Sequence, residues 1–358
     1  MFRAGYDFLD AFGSFVYLPS GMAEHVTILG DGAMATVCSI LLSRGGHDVT
    51  MWGAFEESID RLIQNRENAR LLKGVRIPPA VRLTARDSDC FNGATLILSA
   101  IPTQFMRDVW TRLRRVVPPE VPIVSVAKGI ENDTLMRPTQ IIGDVLMPQV
   151  ASMAALSGPN IAVEIGRYLP ATAVAASRDP QLVKRVQSVF STQWFRIYTN
   201  TDIIGTELAG ATKNVIALAA GILDGLAAGN NAKAALVTRG LVEITRLGVA
   251  MGAEESTFAG LAGLGDLITT CVSPEGRNRS VGEAIGRGRK LEEIVASMES
   301  VAEGVATTKS VIALARRHHV EMPIAQAVHA VLFEGKDVLA ALSDLMNRDP
   351  KPERGQEQ

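Results

Sequence analysis

A glycine-rich turn between a β-type run and a helical run is the feature that most constrains the fold of this chain. Residues 26–29 predict a short buried strand, and the string GDGAMA follows directly at residues 30–35. Apolar residues then recur with helical spacing through Ile40 and Leu41, and residues 48–52 predict a second strand. Together they form a βαβ unit of about thirty residues, which predicts parallel strands joined by a right-handed crossover.

The turn matches the pattern G-x-G-x-x-G/A, with Gly30, Gly32 and Ala35 at the three small positions. In this pattern the first glycine makes the turn, the second lets a pyrophosphate approach the backbone, and the third small residue lets the helix pack closely. The N–H groups at the helix N-terminus then face the phosphates. Its place between strand and helix predicts a bound dinucleotide beside Gly30, Gly32, Ala33 and Met34, with an ordinary tight turn as the alternative.

The rest of the chain divides into an α/β part and a helical part. Further β-type runs lie at residues 94–100, 121–126, 151–156, 172–176 and 195–198, and helical segments such as 104–115 and 180–190 separate most of them. This alternation predicts a doubly wound, mostly parallel sheet of the Rossmann type. From about residue 203 only helical periodicity remains, in long segments at 203–226 and 232–251, which predicts an all-α domain. The predicted units are an N-terminal extension (1–21), a dinucleotide-binding domain (22–202), an all-α substrate domain (203–346) and a disordered tail (347–358).

Composition excludes several classes of protein. Lys and Arg number 36 against 38 Asp and Glu, so the chain carries no basic surface for nucleic acid. No run of about 18 residues is continuously apolar, which argues against a membrane span. The three cysteines are far apart and the five histidines lack metal-ligand spacing. We therefore expect no metal and a reducing, cytoplasmic location.

Two candidate site segments follow predicted strands. Lys128 comes just beyond the strand at 121–126, where open α/β sheets bind ligands, although a solvated loop lysine fits the same position. The strand at 151–156 ends in Ser157-Gly158-Pro159, whose backbone N–H groups could hold an anion or a carboxamide. An ordinary connecting turn is the alternative for that segment.

Three more candidate residues or pairs lie in the helical part. Lys213 sits in an otherwise apolar helix, where partial burial would lower its pKa toward the range useful for proton transfer; a solvent-facing lysine is the alternative. Asp266 ends the glycine-rich run LAGLGD. Arg277 and Asn278 combine a guanidinium fork with an amide, which suits a phosphate; taken by themselves, these residues fit a plain charged loop before a helix better.

Taken together, these strings resemble the bacterial NAD(P)-dependent glycerol-3-phosphate dehydrogenase family. The likeness covers residues 22–345, and several separate motifs occur in the family order. Besides the glycine turn they are NARLL at 68–72 before Pro78-Pro79, VAKGIE at 126–131, SGP at 157–159, TKNVIA at 212–217, GLGDL at 263–267, RNR at 277–279, EGV at 303–305 and AVHAVL at 327–332.

The resemblance implies a 6-phosphogluconate dehydrogenase-like fold, with a Rossmann-type sheet and a C-terminal all-α domain. It implies reversible hydride transfer between dihydroxyacetone phosphate and sn-glycerol 3-phosphate, with NAD or NADP as cofactor. Such an enzyme supplies glycerol 3-phosphate for phospholipid synthesis, and a homodimer is the family expectation.

The resemblance also assigns roles to single residues. Lys213 would be the general base in oxidation and the acid in reduction. The substrate would contact Lys128, Gly158, Asn160, Lys213, Asp266, Arg277 and Asn278. The dinucleotide would contact Lys128, Ala162, Arg277, Val301 and Glu303 in addition to the glycine turn.

Four positions depart from the family pattern. The family commonly has Ser or Thr at 160, Ser at 276, an aromatic residue at 34, and Arg or His around 54. This chain has Asn160, Gly276, Met34 and Ala54. Because Ala54 supplies no charge for a 2′-phosphate, the sequence slightly favours NAD over NADP.

Two other functions remain as alternatives from the sequence. A related hydroxyacid or 6-phosphogluconate-type dehydrogenase would share the two-domain architecture but take another substrate. A non-catalytic dinucleotide sensor would keep the glycine turn without turnover, and the changes at positions 160 and 276 motivate that reading.

Overall fold

A parallel-rich sheet forms the first part of the molecule. The computed structural model describes residues 23–147, 152–298, 301–350 and 352–353, so the predicted extension 1–21 lies outside the described residues. The strands are β1 (His25–Leu29), β2 (Asp48–Trp52), β3 (Arg82–Thr84), β4 (Leu96–Ser99), β5 (Ile123–Ser125), β6 (Met153–Ser157), β7 (Ala171–Ala176) and β8 (Phe195–Asn200). Their order in the sheet is β3-β2-β1-β4-β5-β6-β7-β8. Within the described part of the sheet, β6 and β7 pair antiparallel and the other neighbouring strands pair parallel.

Helices cover both faces of this sheet. They are α1 (Ala33–Arg44), α2 (Glu56–Asn65), α3 (Thr103–Leu113), α4 (Pro138–Leu146), α5 (Ala162–Gly166) and α6 (Pro180–Phe190). Side chains of α1 and α6 share one apolar cluster with the strands, whereas Trp110 of α3 and Ile141 of α4 belong to another. The predicted doubly wound sheet is therefore confirmed. The run at 94–100 is strand only over Leu96–Ser99, and sequence periodicity missed the short edge strand β3.

The second part of the described chain is helical, with no strand after Asn200 among the described residues. Its helices are α7 (Ile203–Gly225), α8 (Gly229–Ala250), α9 (Glu255–Ala259), α10 (Asp266–Val272), α11 (Arg277–Gly286), α12 (Leu291–Ala296), α13 (Glu303–Arg317), α14 (Pro323–Phe333) and α15 (Val338–Met346). Asp202 caps α7, because its Oδ1 accepts the Gly205 N–H at 2.8 Å. A domain boundary at residue 202 stays a prediction.

Helix α7 is the central element of the helical part and is also tied to the sheet part. All its residues from Gly205 to Leu223 are buried. Glu207 on α7 accepts hydrogen bonds from the Thr139 backbone N–H and hydroxyl, both at 2.8 Å, and from Arg137. A buried carboxylate with these partners anchors the start of α4 against α7.

The predicted tail is only partly covered by the described residues, which include 347–350 and 352–353. Arg348 forms an ion pair with Glu321, and Arg239 of α8 donates to the Glu353 carbonyl at 3.3 Å. The other tail residues lie outside the described part of the chain, so disorder of the tail stays a prediction.

Glycines allow α7 and α11 to touch backbone to backbone. A Cβ atom placed on Gly282 would lie 2.0 Å from the Leu218 carbonyl oxygen, and one on Gly221 would lie 2.0 Å from the Arg279 carbonyl oxygen. Gly225 and Gly286 meet one turn further along. Since the obstructing atoms are backbone, a side chain at these positions would have to push the helices apart. This contact explains part of the high glycine content and sets the position of the N-terminus of α11.

We expect Gly282→Ala to lower the free energy of unfolding by roughly 2 kcal/mol or more, because overpacking at a rigid contact costs about 1–3 kcal/mol or more. Thermal or urea unfolding measures the change. Gly143→Ala in α4 is the matched control, since its Cβ would meet only the Met153 Cε at 3.6 Å. Alanine there should be neutral or slightly stabilising. Equal destabilisation by the two substitutions would contradict the steric account.

Candidate functional site

The candidate site lies along the carboxyl ends of the neighbouring strands β1, β4, β5 and β6. Gly30 follows β1, Lys128 follows β5 by three residues, and Gly158 follows β6. From β1 the chain continues to β2 and β3 on one side of β1, and then crosses to β4 on its other side. The strand order therefore reverses between β1 and β4. Open α/β sheets bind ligands at such a point.

A buried carboxylate joins the two lysines that the sequence singled out. Asp266 accepts from Lys213 Nζ at 2.5 Å through Oδ1 and from Lys128 Nζ at 2.8 Å through Oδ2. The side chains of Asp266, Lys213 and Lys128 are 2%, 6% and 14% exposed. Thr270, one turn after Asp266 on α10, also contacts Lys213 Nζ. With both lysines protonated, the cluster carries one net positive charge, and its three side chains are almost wholly buried.

Lys128 is also tied to the turn after β6. Its Nζ donates to the Gly158 carbonyl at 2.9 Å and to Asn160 Oδ1 at 2.7 Å. Gly158 has a φ of +146°, and a Cβ there would lie 2.9 Å from the Ala173 Cα, so glycine is required. Asn214, next to Lys213 in the chain, donates to the Lys128 carbonyl at 2.9 Å. Asn160, which stands where the family commonly has Ser or Thr, therefore still accepts a hydrogen bond from Lys128.

The environment of Lys213 prepares it to exchange a proton. Burial lowers the pKa of Lys213 to about 8, the Asp266 carboxylate opposes that change, and the Lys128 charge adds to it. A lysine with a pKa near neutrality has both protonation states within reach at physiological pH.

Arg277 and Asn278 lie at the N-terminus of α11. Arg277 Nη1 donates to the Val301 carbonyl at 2.9 Å, and Asn278 Oδ1 accepts the Gly304 N–H at 3.0 Å. A Cβ on Gly304 would lie 2.8 Å from the Asn214 carbonyl, so α7, α11 and α13 meet here without space for a side chain. The contact brings Asn278 close to Asn214, the residue that follows Lys213 in the chain.

Glu303 connects the helical part to the first turn of α3. Its Oε1 accepts the Thr103 backbone N–H at 2.9 Å and the Thr103 hydroxyl at 3.1 Å. A Cβ on Gly129, the residue after Lys128, would lie 3.3 Å from the same oxygen. In this structure Glu303 therefore caps α3 at the carboxyl edge of the sheet.

The glycine turn has the geometry that a pyrophosphate requires. Gly30 has a φ of +116°, and a Cβ there would lie 2.8 Å from the Ala100 carbonyl. A Cβ on Gly32 would meet nothing within 4 Å, which leaves open space before α1. Helix α1 starts at Ala33 with no side-chain cap, so its first N–H groups remain available for an anion. These residues fit a dinucleotide.

The remaining predicted cofactor residues lie in two places. Met34 and Ala162 pack against the same apolar cluster beside α1, and Val301 is 39% exposed next to Arg277. Sequence reasoning missed Asn214 and Thr270 as members of the site. Asn214 directly follows Lys213, and the four-residue spacing from Asp266 to Thr270 within a helix could have identified Thr270.

Two classes of site are absent within the described residues. In residues 23–147, 152–298, 301–350 and 352–353, no group of three His, Cys, Asp or Glu side chains could hold a metal ion. No helix within those ranges is long and apolar enough to cross a membrane.

Comparison with known proteins agrees with this geometry. Residues 25–183 match the N-terminal domain of NAD-dependent glycerol-3-phosphate dehydrogenase, and residues 202–343 match its C-terminal domain. The glycerol-3-phosphate dehydrogenase [NAD(P)+] of Chlorobium limicola is 47% identical over 330 residues, covering 92% of this chain and 99% of that protein.

Solved structures show the same relationship. The crystal structure of glycerol-3-phosphate dehydrogenase from Coxiella burnetii has a TM-score of 0.88 and 34% identity, covering 91% of this chain and 99% of the other. A PanE/ApbA family ketopantoate reductase from Ralstonia eutropha shares the fold alone, with a TM-score of 0.57 and 15% identity over 90% of this chain and 99% of the other. The chain belongs to the NAD-dependent glycerol-3-phosphate dehydrogenase family.

Proposed function

We propose that this chain catalyses reversible hydride transfer between sn-glycerol 3-phosphate and dihydroxyacetone phosphate and supplies glycerol 3-phosphate for phospholipid synthesis. The observation that carries the proposal is the Lys213–Asp266–Lys128 cluster at the carboxyl edge of the sheet. The cluster lies where open α/β sheets bind their ligands. The chain belongs to the glycerol-3-phosphate dehydrogenase family.

Lys213 is the proposed acid and base. In oxidation the neutral Nζ takes the proton of the C2 hydroxyl as the C2 hydrogen departs as hydride, and in reduction the ammonium returns that proton to the C2 oxygen. The nicotinamide, when bound, accepts or supplies the hydride. Asp266 holds Nζ in place, and Thr270 adds a second contact to it.

The substrate phosphate is proposed to meet Arg277 and Asn278. A guanidinium binds phosphate through two parallel hydrogen bonds, and binding of this remote group can position C2 for reaction. Lys128 is proposed to contact both substrate and cofactor, and Gly158 and Asn160 to line the substrate pocket. Their common bonding to Lys128 Nζ supports this grouping.

The dinucleotide is proposed to lie along the glycine turn, with Arg277, Val301 and Glu303 reaching it from the helical part. Ala162 would contact the nicotinamide. Ala54 at the end of β2 supports a slight preference for NAD(H), since it provides no charge for a 2′-phosphate.

A homodimer and a cytoplasmic location are further proposals. Family resemblance supports the dimer. The cytoplasmic location is supported by Cys38, Cys90 and Cys271, which are all buried and unpaired, as expected in a reducing compartment.

The direct test of the activity is oxidation of NADH in the presence of dihydroxyacetone phosphate, followed by absorbance. We expect turnover with this substrate. We expect none with the carbonyl compounds that hydroxyacid or 6-phosphogluconate-type dehydrogenases reduce. Turnover only on another carbonyl would favour a related dehydrogenase. NADH binding without turnover on any phosphorylated triose would favour a sensor.

Replacing the proposed base tests the mechanism. Lys213→Ala should lower turnover by about 10²–10⁴-fold, the typical contribution of general acid–base catalysis, while leaving the circular dichroism spectrum unchanged. Lys233→Ala is the matched control, because Lys233 also pairs with a carboxylate, Asp224, but away from the cluster. Near-normal turnover of the Lys213 variant would reject its role.

The pH dependence should differ in sign between the two directions. Because the pKa of Lys213 is about 8, kcat/KM for oxidation should rise with pH and level off above about 8, where the amine is neutral. For reduction kcat/KM should fall as pH rises through the same value, where the ammonium is lost. Parallel profiles in both directions would be inconsistent with one group acting as base and acid.

A further inference from the structure

An arginine lies at the end of β2, although the chain segment there contains none. Residues 53–57 read GAFEE and include no basic residue. Arg112, near the C-terminus of α3, reaches this place from another part of the chain. Its Nη1 donates to the Ala54 carbonyl at 3.1 Å, and its guanidinium carbon lies 5.1 Å from the centroid of the Trp52 ring.

Asp87, in the turn that follows β3, holds this arginine through two hydrogen bonds. Arg112 Nε donates to Asp87 Oδ2 and Nη2 to Asp87 Oδ1, both at 2.8 Å. Trp52 Nε1 also donates to Asp87 Oδ1 at 3.2 Å. The two side chains remain 44% and 32% exposed, so the pair is fixed in orientation yet faces solvent.

The pair stands where a Rossmann-type sheet distinguishes its two cofactors. The residue that contacts the 2′ position of the adenosine ribose lies about 20 residues after the glycine motif, at the end of the second strand. An acid there accepts from the 2′-hydroxyl of NAD, whereas a nearby arginine accommodates the 2′-phosphate of NADP. Here both kinds of group are present, and they neutralise each other.

We propose that the Asp87–Arg112 ion pair sets the preference between NAD(H) and NADP(H). Alone, the Arg112 guanidinium would bind a 2′-phosphate with two parallel hydrogen bonds. Asp87 occupies one edge of that guanidinium and repels a phosphate dianion, whereas an uncharged 2′-hydroxyl meets no repulsion. The inference rests on the proposed dehydrogenase function and makes Asp87 the residue that keeps NADH favoured.

The test is the ratio of kcat/KM for NADPH to that for NADH, with dihydroxyacetone phosphate as substrate. Asp87→Asn has the same size, keeps an acceptor for Trp52 and removes the negative charge. We expect it to raise the ratio at least tenfold. Arg112→Gln leaves the Asp87 charge uncompensated and should lower the ratio at least fivefold, and the double variant should fall well below Asp87→Asn alone.

Asp144→Asn is the matched control. Asp144 pairs with Arg107 on the same helix α3 at 2.5 Å, so the substitution makes the same charge change beside an arginine elsewhere on that helix. Its ratio should stay within twofold of the parent. A general loss of activity through damage to α3 would lower turnover with both cofactors equally and leave the ratio unchanged.

Fluorescence titration with NADH and NADPH separates failure of this inference from failure of the function. A parent protein that neither binds nor oxidises NADH or NADPH overturns the proposed function. A parent protein that turns over NADPH but not NADH overturns the inference that Asp87 keeps NADH favoured. Normal NADH turnover, with a ratio that stays within twofold in both single variants, overturns the role of the ion pair alone. If Asp87→Asn does not fold, the Arg112→Gln variant is the test. An unchanged ratio of NADPH to NADH use in that variant also overturns the role of the ion pair.

Discussion

The site depends on one buried carboxylate. Asp266 lies between the ammonium groups of Lys128 and Lys213, which would repel each other in a cleft of low dielectric constant. With both lysines protonated, its single negative charge leaves the cluster with one net positive charge, which suits a phosphorylated substrate. It also limits how far burial can lower the pKa of Lys213, and so keeps both protonation states usable near neutrality.

Close backbone contacts hold together the helices that carry the other candidate groups. The glycine contact between α7 and α11 aligns the start of α11 with the middle of α7, and Gly304 of α13 closes the same corner. Asn214 then connects α7 to the loop of Lys128. Each link lacks space for an added methyl group or uses a defined hydrogen bond. Rigid packing therefore sets the distance from Lys213 to Arg277 and Asn278, the residues proposed to meet the substrate phosphate.

A hydrogen-bonded carboxylate and an ion pair join distant segments on the side of the site proposed to hold the cofactor. Glu303 begins a helix of the helical part and caps α3 of the sheet part, while Arg112 from α3 and Asp87 meet at the end of β2. Local sequence around position 54 suggests an uncharged surface, yet folding brings a guanidinium and a carboxylate to it. The proposed cofactor preference thus arises from the balance of two charges that lie 25 residues apart in the chain.

The amino-acid sequence alone determined the fold class, the glycine turn and the identity of Lys128, Lys213 and Asp266 as candidates, because strand and helix periodicity and turn chemistry are local properties. Only the tertiary structure decided that these three side chains form one cluster, that Thr270 and Asn214 join it, and that Arg112 stands beside Ala54. The edge strand β3 also escaped prediction, since its three residues RLT include a single apolar side chain and show no β-type run. Contacts between residues dozens of positions apart depend on helix packing and crossover direction, and no local pattern encodes them.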